Sequence, residues 1–377
     1  MMTSTHNNTS KLISDNENYK LNRLLHQIRR QGQAERLELA RSSHISNSRV
    51  CDLIQLMIGQ DLLIEELTGT ERRGRRGVPV MLNPSYGHLV GFDMEAKRLR
   101  LLVVDFAGNT VWQTQQKLVP PKNRRVLIDD ILGFIEKGLK EIRQKYKNIL
   151  GIGLAANGVI DVHRGVILHY DLVEVARDLP LRDLVAGQTG VPCVMEDNIR
   201  ALTLAEWING SAKHLDSFIC LAVRSGVGAG IVINGRLHLG SHGFAGEPGY
   251  MPVTSGSNAN QWKHLQQVVS ESALGVDVEA NGFELTEAKA KKAGELIGAY
   301  LASMVALLDP QAIVLAGGLI QPDQPLWDPM VRAFRRLVLP ELTDSVQLLP
   351  ARLGPFAAAV GATHRCFEML YPLEPTL

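Results

Sequence analysis

The first sixty residues contain three segments in which apolar side chains recur at helical spacing. The first segment runs from Asn18 to Arg30, and the second runs from Ala34 to Arg41 with Leu37 and Ala40 expected to face inward. The third runs from Asn47 to Gly59 and begins with polar residues. Helix, short helix, turn and polar-tipped helix is the helix-turn-helix pattern, and a small three-helix interaction domain would have the same pattern.

The residues around the third segment help to decide between these two interpretations. A recognition helix contacts base edges through its N-terminal residues, here Asn47, Ser48 and Arg49. Two short apolar segments then flank a loop rich in glycine and arginine, which is typical of a wing that reaches DNA phosphates or the minor groove. The arginines of this loop are Arg72, Arg73, Arg75 and Arg76. Such a loop alone is usually a solvated surface, but after a helix-turn-helix pattern it favours DNA binding.

From residue 88 onward, short alternating apolar segments replace the helical spacing. Residues 88–93, 98–106 and 109–117 predict a three-stranded meander, and a helix over 128–142 is expected to cover it. A buried strand follows at 150–155. Elements that alternate in this way indicate an α/β sheet.

A glycine-rich stretch from Arg224 to Met251 is the most informative part of the chain. Asn234-Gly235 between two apolar segments predicts a tight hairpin, because both positions tolerate positive φ. Glycines at alternate positions (226, 228 and 230) leave one face of the backbone bare, either for a ligand or for another segment of the chain. The loop that follows carries Glu247, a carboxylate suited to accepting hydrogen bonds from neighbouring sugar hydroxyls.

The C-terminal part continues the α/β pattern. A long amphipathic helix is predicted over Glu287–Leu308, followed by a buried strand over Ala312–Ala316. The Gly317-Gly318 pair allows a close backbone turn at the end of this strand, and a helix of small residues begins at Ala357.

Length and composition agree with a soluble protein of more than one domain. The chain has 377 residues, 45% hydrophobic and 21% charged, with a net charge of +1. Its four cysteines lie far apart, which indicates reduced thiols rather than a sulfur-rich metal site. No apolar segment approaches the roughly 20 residues needed to span a bilayer, and no leader opens the chain. We therefore expect a cytoplasmic protein.

The glycine hairpin and its Gly-Glu-Pro-Gly-Tyr loop resemble the signature of the ROK family, which groups bacterial sugar kinases with sugar-responsive repressors. The resemblance, closest to the xylose and N-acetylglucosamine repressor type, implies an α/β protein with an N-terminal winged helix-turn-helix and a two-lobed actin-like ATPase (ROK) domain. We expect a mobile tail over 1–17, the DNA-binding domain over 18–85, and the effector domain over 88–377. Lobe one is expected at about 88–200 plus the C-terminal helix, and lobe two at about 201–356.

The same resemblance implies which residues contact a sugar. They are Asn157, Asp171, Asn198, Glu247, Tyr250 and Gln266. Tyr250 lies where the family has histidine, and Gln266 lies where the family has a second glutamate, although an exposed helical glutamine is an equal interpretation. The family's zinc-binding cysteines are missing after Tyr250, and His264 alone is expected to be a partly exposed helix residue and not a ligand. No metal and no cofactor are therefore expected.

Two departures from the kinases argue against phosphoryl transfer. The family's Asp-x-Gly-Gly-Thr phosphate turn is Asp93-Met94-Glu95-Ala96-Lys97 here, and the charge of Glu95 would repel phosphates. Asn198 occupies the position of the catalytic aspartate, and a neutral amide is no general base. Asp197 is adjacent and would serve only if the turn shifted by one residue.

The sequence thus predicts a repressor of carbohydrate metabolism that is not an enzyme. Its expected partners are operator DNA, a sugar effector and further copies of itself in a dimer or tetramer, with no membrane. The alternative is an ATP-dependent sugar kinase with an N-terminal extension. A third interpretation is a sugar-binding module whose N-terminal helices contact protein.

Overall fold

The computed structural model describes residues 15–65, 78–146, 148–254, 262–278 and 284–373. The four wing arginines and residues 1–14 of the expected tail lie outside these ranges. None of the described helices is both long and apolar enough to cross a membrane.

The N-terminal module has three helices and a small antiparallel sheet in the strand order β1-β3-β2. Its elements are α1 (Asp15–Gln31), β1 (Gln33–Ala34), α2 (Arg36–Ser43), α3 (Asn47–Gly59), β2 (Leu63–Glu65) and β3 (Val80–Leu82). Helix α3 has the predicted bounds, and β2 and β3 flank the predicted wing loop. Two details differ from the prediction. Helix α1 begins inside the expected tail, and Leu37 is 49% exposed because α2 buries Leu39 instead.

This module shares an apolar core with the rest of the chain. Leu24, Leu25 and Ile28 of α1 lie in the same buried cluster as Phe106 and Phe367 of the effector domain. The apolar stripe that defines α1 in the sequence therefore faces the effector domain as well as its own module. A shift at this interface would therefore also move the N-terminal helices.

Lobe one is built on a five-stranded sheet in the order β10-β7-β4-β5-β6. The predicted meander is present as three antiparallel strands, and β7 and β10 add in parallel. The elements are β4 (His88–Met94), β5 (Arg98–Asp105), β6 (Thr110–Lys117), α4 (Arg124–Lys145), β7 (Ile149–Ala156), β8 (Val159–Asp161), β9 (Val166–His169), α5 (Leu181–Thr189) and β10 (Cys193–Asp197).

Lobe two contains a second five-stranded sheet in the order β13-β12-β11-β16-β17. Helix α9 and strand β16 have the predicted bounds. The elements are α6 (Asn198–Asn209), β11 (Phe218–Val223), β12 (Val227–Ile233), β13 (Arg236–Leu237), β14 (Pro252–Thr254), β15 (Trp262–His264), α7 (Gln266–Val269), α8 (Glu271–Leu274), α9 (Glu287–Leu308), β16 (Ala312–Ala316), α10 (Trp327–Leu337), β17 (Gln347–Pro350) and α11 (Ala357–Leu370).

Helices α6 and α11 cross between the two sheets. A Cβ on Gly361 of α11 would lie 1.6 Å from the Ala201 carbonyl oxygen of α6, so only glycine permits this approach. The contact is lined by small residues, including Ala205 and Ala362. Because the helices pack so closely, they hold a fixed relation, and α6 begins at the cleft between the lobes.

The alternating glycines of β12 have a packing role in this arrangement. A Cβ on Gly228 would lie 2.9 Å from the Ile199 side chain, and one on Gly230 would lie 1.9 Å from Thr203 Oγ1. Helix α6 therefore covers the bare face at these two positions. The following hairpin is as predicted, with Asn234 at φ 50° and Gly235 at φ 71°.

Candidate functional site

The two lobes enclose a cavity of about 440 Å³, within the range of roughly 300–1,000 Å³ typical of small-molecule sites. Its wall includes the ends of β7 and β9, the start of α6, the β11–β12 turn and the loop that carries Glu247. All six predicted sugar contacts line this one cavity. They are Asn157, Asp171, Asn198, Glu247, Tyr250 and Gln266. Their role in sugar binding remains a prediction.

Glu247 is held by a loop that is packed against lobe two. Gly246 has φ 96°, and a Cβ there would lie 1.9 Å from the Ala229 carbonyl oxygen. The Glu247 side chain is half-buried. Burial raises its pKa to about 7, the neighbouring Asp197 carboxylate adds to the rise, and Arg200 opposes it. A bound hydroxyl that donates to this carboxylate would stabilise its charge.

The first turn of α6 presents Asp197 and Asn198 to the cavity. Asp197 Oδ1 accepts hydrogen bonds from the backbone N–H groups of Ile199 and Arg200, both at 3.0 Å, and so caps the helix. Burial raises the pKa of Asp197. Asn198 is 1% exposed, and its buried Nδ2 has no hydrogen-bond partner among the residues that the structure describes. That amide is a donor available to a ligand.

Asn157 directly follows β7 and offers a hydrogen-bond acceptor, whereas Asn198 offers a donor. Its Nδ2 donates to the Tyr170 hydroxyl oxygen at 3.3 Å, and its buried Oδ1 is without a hydrogen-bond partner in the described part of the chain. The cavity thus contains an unused donor on Asn198 and an unused acceptor on Asn157. Sugar hydroxyls, which both donate and accept, match such a pair.

The remaining predicted contacts lie at the rim. The side chain of Asp171 is 69% exposed and lies 3.5 Å from His169 Nδ1. Tyr250 is 38% exposed, its ring packs edge-on against His264 with 5.3 Å between centroids, and its hydroxyl bonds to the Gln266 side chain. His264 lies on strand β15 and not on a helix as expected, because β15 pairs with β14.

An ion-pair cluster borders the cavity at Arg224, which lines it. Glu95 Oε1 lies 2.5 Å from Arg224 Nη1, and Glu95 Oε2 lies 2.5 Å from Arg100 Nη1. Arg100 also lies 3.3 Å from the buried Asp93. Although burial acts to raise it, Arg224 and Arg100 hold the pKa of Glu95 below its ordinary value. The sequence predicted a repulsive charge at Glu95 that Lys97 would offset only in part, whereas two arginines neutralise it.

Several residues of the site were not predicted as sugar contacts. Tyr170, Ser225 and Ser270 line the cavity, and so does Arg224. Each is an ordinary residue of a turn or strand end whose neighbours become visible only when the lobes are brought together. As for metals, the described residues contain no group of three or more His, Cys, Asp or Glu that could hold an ion. The expected absence of a metal stays a prediction.

The tip of α3 is accessible at the other end of the molecule. Asn47 and Ser48 are exposed, and Arg49 is half-buried. Arg49 forms ion pairs with Glu17 of α1 and, at 3.7 Å, with Asp52. These positions agree with a recognition helix, and their contact with DNA remains a prediction.

Helix α6 connects the cavity to α1. Its last turn carries Trp207, whose ring lies 5.1 Å from the Arg30 guanidinium of α1. A second connection is a row of buried and partly buried polar side chains. Arg200 Nη1 donates to the Gly243 carbonyl oxygen near the Glu247 loop, at 2.8 Å. The row then passes through Glu196, Arg365, Glu368 and His364 to the His26 ring of α1.

Known proteins resemble this chain along most of its length. The family model of the ROK family matches residues 89–366. The xylose repressor of Bacillus subtilis is 26% identical over 361 residues, covering 90% of this chain and 92% of that protein. The glucokinase of Halalkalibacterium halodurans is 26% identical over 311 residues, covering 72% of this chain and 92% of that enzyme.

A solved structure resembles the whole fold, including the N-terminal module. It is a ROK family transcriptional regulator described as a homologue of the Escherichia coli MLC protein. Its TM-score is 0.78 at 20% identity, and the match covers 95% of this chain and 97% of that chain. The expected fold class is therefore confirmed.

Proposed function

This chain belongs to the ROK family, and on that premise we propose that it is a DNA-binding transcription regulator of carbohydrate metabolism. It acts as a repressor, and its interlobe cavity binds a sugar or sugar-derived effector that alters operator binding. The relatives that match over nearly its full length include a xylose repressor, whereas the glucokinase match leaves more than a quarter of the chain uncovered.

One observation carries the sugar-binding part of the proposal. Six residues that are scattered over more than 100 positions of sequence line a single cavity. Among them are an unused amide donor on Asn198, an unused amide acceptor on Asn157 and the half-buried Glu247 carboxylate. Three such groups around one cavity suit a polyhydroxylated ligand, because each hydroxyl can satisfy a buried polar atom.

The path from this cavity to the DNA-binding helices is short and rigid. Helix α6 begins at Asp197 and Asn198 in the cavity and ends at Trp207 against Arg30 of α1. Helix α11 packs along α6 and carries Phe367, over which the Arg29 guanidinium of α1 lies at 4.2 Å. A ligand that repositions the start of α6 would therefore shift α1. The effect on DNA is limited to the ligand's preference between the two arrangements.

The operator geometry follows from the helix-turn-helix. Two copies of the chain would place paired α3 helices in successive major grooves, about one helical turn apart. We therefore propose a homo-oligomer, dimer or tetramer, working in the cytoplasm on a pseudo-palindromic operator. The exposed Asn47 and Ser48 would contact base edges, and Arg49 would exchange its ion pair with Glu17 for a contact with DNA.

The test combines DNA selection with effector screening. The purified full chain is mixed with genomic fragments, including the one upstream of its own coding region, at about 0.15 M salt, since affinity for DNA depends on salt. Retained fragments are then challenged with a panel of neutral sugars. We expect selective retention that one sugar abolishes. Retention that no bound sugar changes would contradict the coupling between cavity and DNA.

The sugar kinase is the second candidate, and Asp197 is the observation that favours it. Its carboxylate lines the cavity beside Glu247. However, one of its oxygens already caps α6, and a base must accept a proton from the substrate. ATP-dependent phosphorylation of a sugar by the wild-type chain, lost in Asp197→Asn, would establish the kinase.

Substitutions in the wing distinguish DNA binding from the third interpretation, in which the N-terminal module binds protein. Reversing the charge at Arg72, Arg73, Arg75 and Arg76 removes phosphate contacts from a wing. For a DNA-binding module we expect weaker binding and a shallower dependence of affinity on salt. Unchanged affinity and slope would favour the protein-binding interpretation.

A further inference from the structure

The Arg224 end of the cavity is bordered by charges that already satisfy one another. Arg224 lines the cavity and follows β11 of lobe two, and its partner Glu95 comes from the β4–β5 turn of lobe one. Glu95 also binds Arg100, so its two oxygens are both engaged. Arg224 Nη1 therefore has a carboxylate partner before any ligand arrives.

A second ion pair crosses the cleft at the same end. Lys97 Nζ of the β4–β5 turn lies 2.7 Å from Asp277 Oδ2, which follows α8 of lobe two. The Tyr170 hydroxyl on the cavity wall bonds to Ser225 and to the backbone of Ala96, so the turn that carries Glu95 and Lys97 directly adjoins the cavity. Any group that enters this end meets the cluster.

The charges of the cluster leave no surplus for an anion. Its cations are Lys97, Arg100 and Arg224. Its carboxylates are Asp93, Glu95, Glu271 and Asp277. Glu271 directly follows Ser270 of the cavity wall, and burial and the neighbouring Glu95 raise its pKa to about 7. A phosphate placed here would add about two negative charges to a cluster in which each cation already has a carboxylate partner.

We propose that the Glu95–Arg224 ion pair makes the cavity selective for neutral sugars and excludes phosphate esters of sugars and nucleotides. This inference deepens the proposed function, because it assigns the chemical class of the effector. Glu95 is thus a residue that determines specificity. It acts by occupying Arg224, which would otherwise be a ready partner for phosphate oxygens.

The first arm of the test uses the wild-type full chain and calorimetry. Glucose is compared with glucose 6-phosphate, and N-acetylglucosamine with its 6-phosphate, with inorganic pyrophosphate as a sugar-free anion. In each pair in which a member binds, we expect the neutral member to bind at least tenfold more tightly. We also expect no saturable binding of pyrophosphate. Tighter binding of a phosphate ester, or saturable binding of pyrophosphate, would overturn the proposal.

The second arm removes the negative charge of Glu95 that pairs with Arg224. Glu95→Gln keeps the size of the side chain and removes its charge, while Glu295→Gln on the exposed face of α9 is the matched control. We expect saturable pyrophosphate binding by Glu95→Gln and none by the control. Equal behaviour of the two variants would refute the role of Glu95.

Neither arm involves DNA, so its result can be interpreted even if the chain proves not to regulate transcription. Thermal unfolding of each variant establishes that it is folded before binding is measured. If Glu95→Gln does not fold, the wild-type arm still decides the proposal.

Discussion

Two glutamates are associated with the interlobe cavity, since Glu247 lines it and Glu95 binds Arg224, which also lines it. Their carboxylates are in opposite electrostatic states. Burial raises the pKa of Glu247 to about 7, with Asp197 as a like-charged neighbour. Glu95 is also buried, yet Arg224 and Arg100 hold its pKa below the ordinary value. The difference lies in direct partners, since Glu95 has two arginines at 2.5 Å.

This contrast separates a binding function from a structural one. A carboxylate with matched cations gains little from a ligand and loses much when a ligand displaces it. A half-buried carboxylate whose charge is poorly compensated gains from any donor that approaches. We infer that a ligand is held at the Glu247 end, and that the Glu95 end holds the lobes together and restricts what the cavity accepts.

The largest expected effect is a loss of stability when the Glu95 carboxylate is removed. Glu95→Ala removes the carboxylate partner of Arg224 and leaves Arg100 with Asp93 alone. Loss of one partner of a buried ion pair costs about 3–5 kcal/mol. Chemical denaturation at pH 7.5 measures the loss. Glu247→Ala is the matched control, and it should lower the free energy of unfolding far less. Equal losses would remove the contrast between the two ends.

The next largest effect is a loss of sugar affinity when Glu247 is changed. Glu247→Gln removes a charged acceptor, which typically costs about 1.5–3 kcal/mol or roughly ten- to a hundredfold in affinity. Calorimetry with the sugar identified in the DNA assay measures this loss. Glu295→Gln should bind that sugar as the wild type does. Wild-type affinity in Glu247→Gln would place the sugar elsewhere.

Sugar affinity should also depend on pH near neutrality. The ionised Glu247 carboxylate accepts hydroxyl donors, so affinity should fall as the pH drops below about 7, by up to about tenfold per pH unit. Glu247→Gln should remove this dependence. A pH dependence that persists in the variant would assign it to another group, such as Glu271, whose pKa is also raised to about 7.

The stability of the unliganded chain should change with pH in the opposite sense. The folded chain holds the Glu247 proton more tightly than the unfolded chain, in which the pKa is near 4.5. This contribution is complete below pH 4.5 and is lost as the pH rises through about 7. Relative to Glu247→Gln, the wild type should therefore be less stable at pH 8 than at pH 5. Denaturation of both proteins at the two pH values measures the difference.

The smallest effect is expected where α6 meets the DNA-binding module. Arg30→Met keeps an apolar stem against Trp207 but removes a cation–π contact of about 0.5–1 kcal/mol at an exposed site. We expect unchanged sugar affinity and a two- to fivefold smaller effect of sugar on operator affinity. Lys20→Met, which changes a partly exposed residue of α1, is the control. An unchanged sugar effect in Arg30→Met would mean that coupling does not use this contact.

Sequence patterns predicted those parts of the fold that depend on local periodicity. Helix α3, helix α9 and strand β16 have their predicted bounds because each presents one continuous apolar stripe or a fully buried segment. The exposed Leu37 shows the limit, since its neighbour Leu39 satisfies the same helical spacing and packing selects between them. The sequence predicted a helix at His264, because the segments of β14 and β15 have no local strand signal. In the structure these two segments pair as antiparallel strands.

The candidate site was predictable to the extent that single motifs carried it. Glu247 and Asn198 could be found from the loop and strand-end motifs in which they occur. Arg224 and Tyr170 could not, because their significance depends on partners more than 10 residues away, as in the pairing of Arg224 with Glu95 across 129 positions. The charge of Glu95 was recognised, but the two arginines that neutralise it become neighbours only in the folded chain.

Operator affinity measured with and without sugar tests the central claim most directly. Fluorescence anisotropy of a selected DNA fragment would be recorded for the wild type and for Glu247→Gln, across a titration of the sugar that releases the fragment. The account predicts that sugar weakens wild-type binding, and that Glu247→Gln binds DNA equally well but needs ten- to a hundredfold more sugar for release, roughly 1.5–3 kcal/mol. Identical sugar titrations for the two proteins would contradict it.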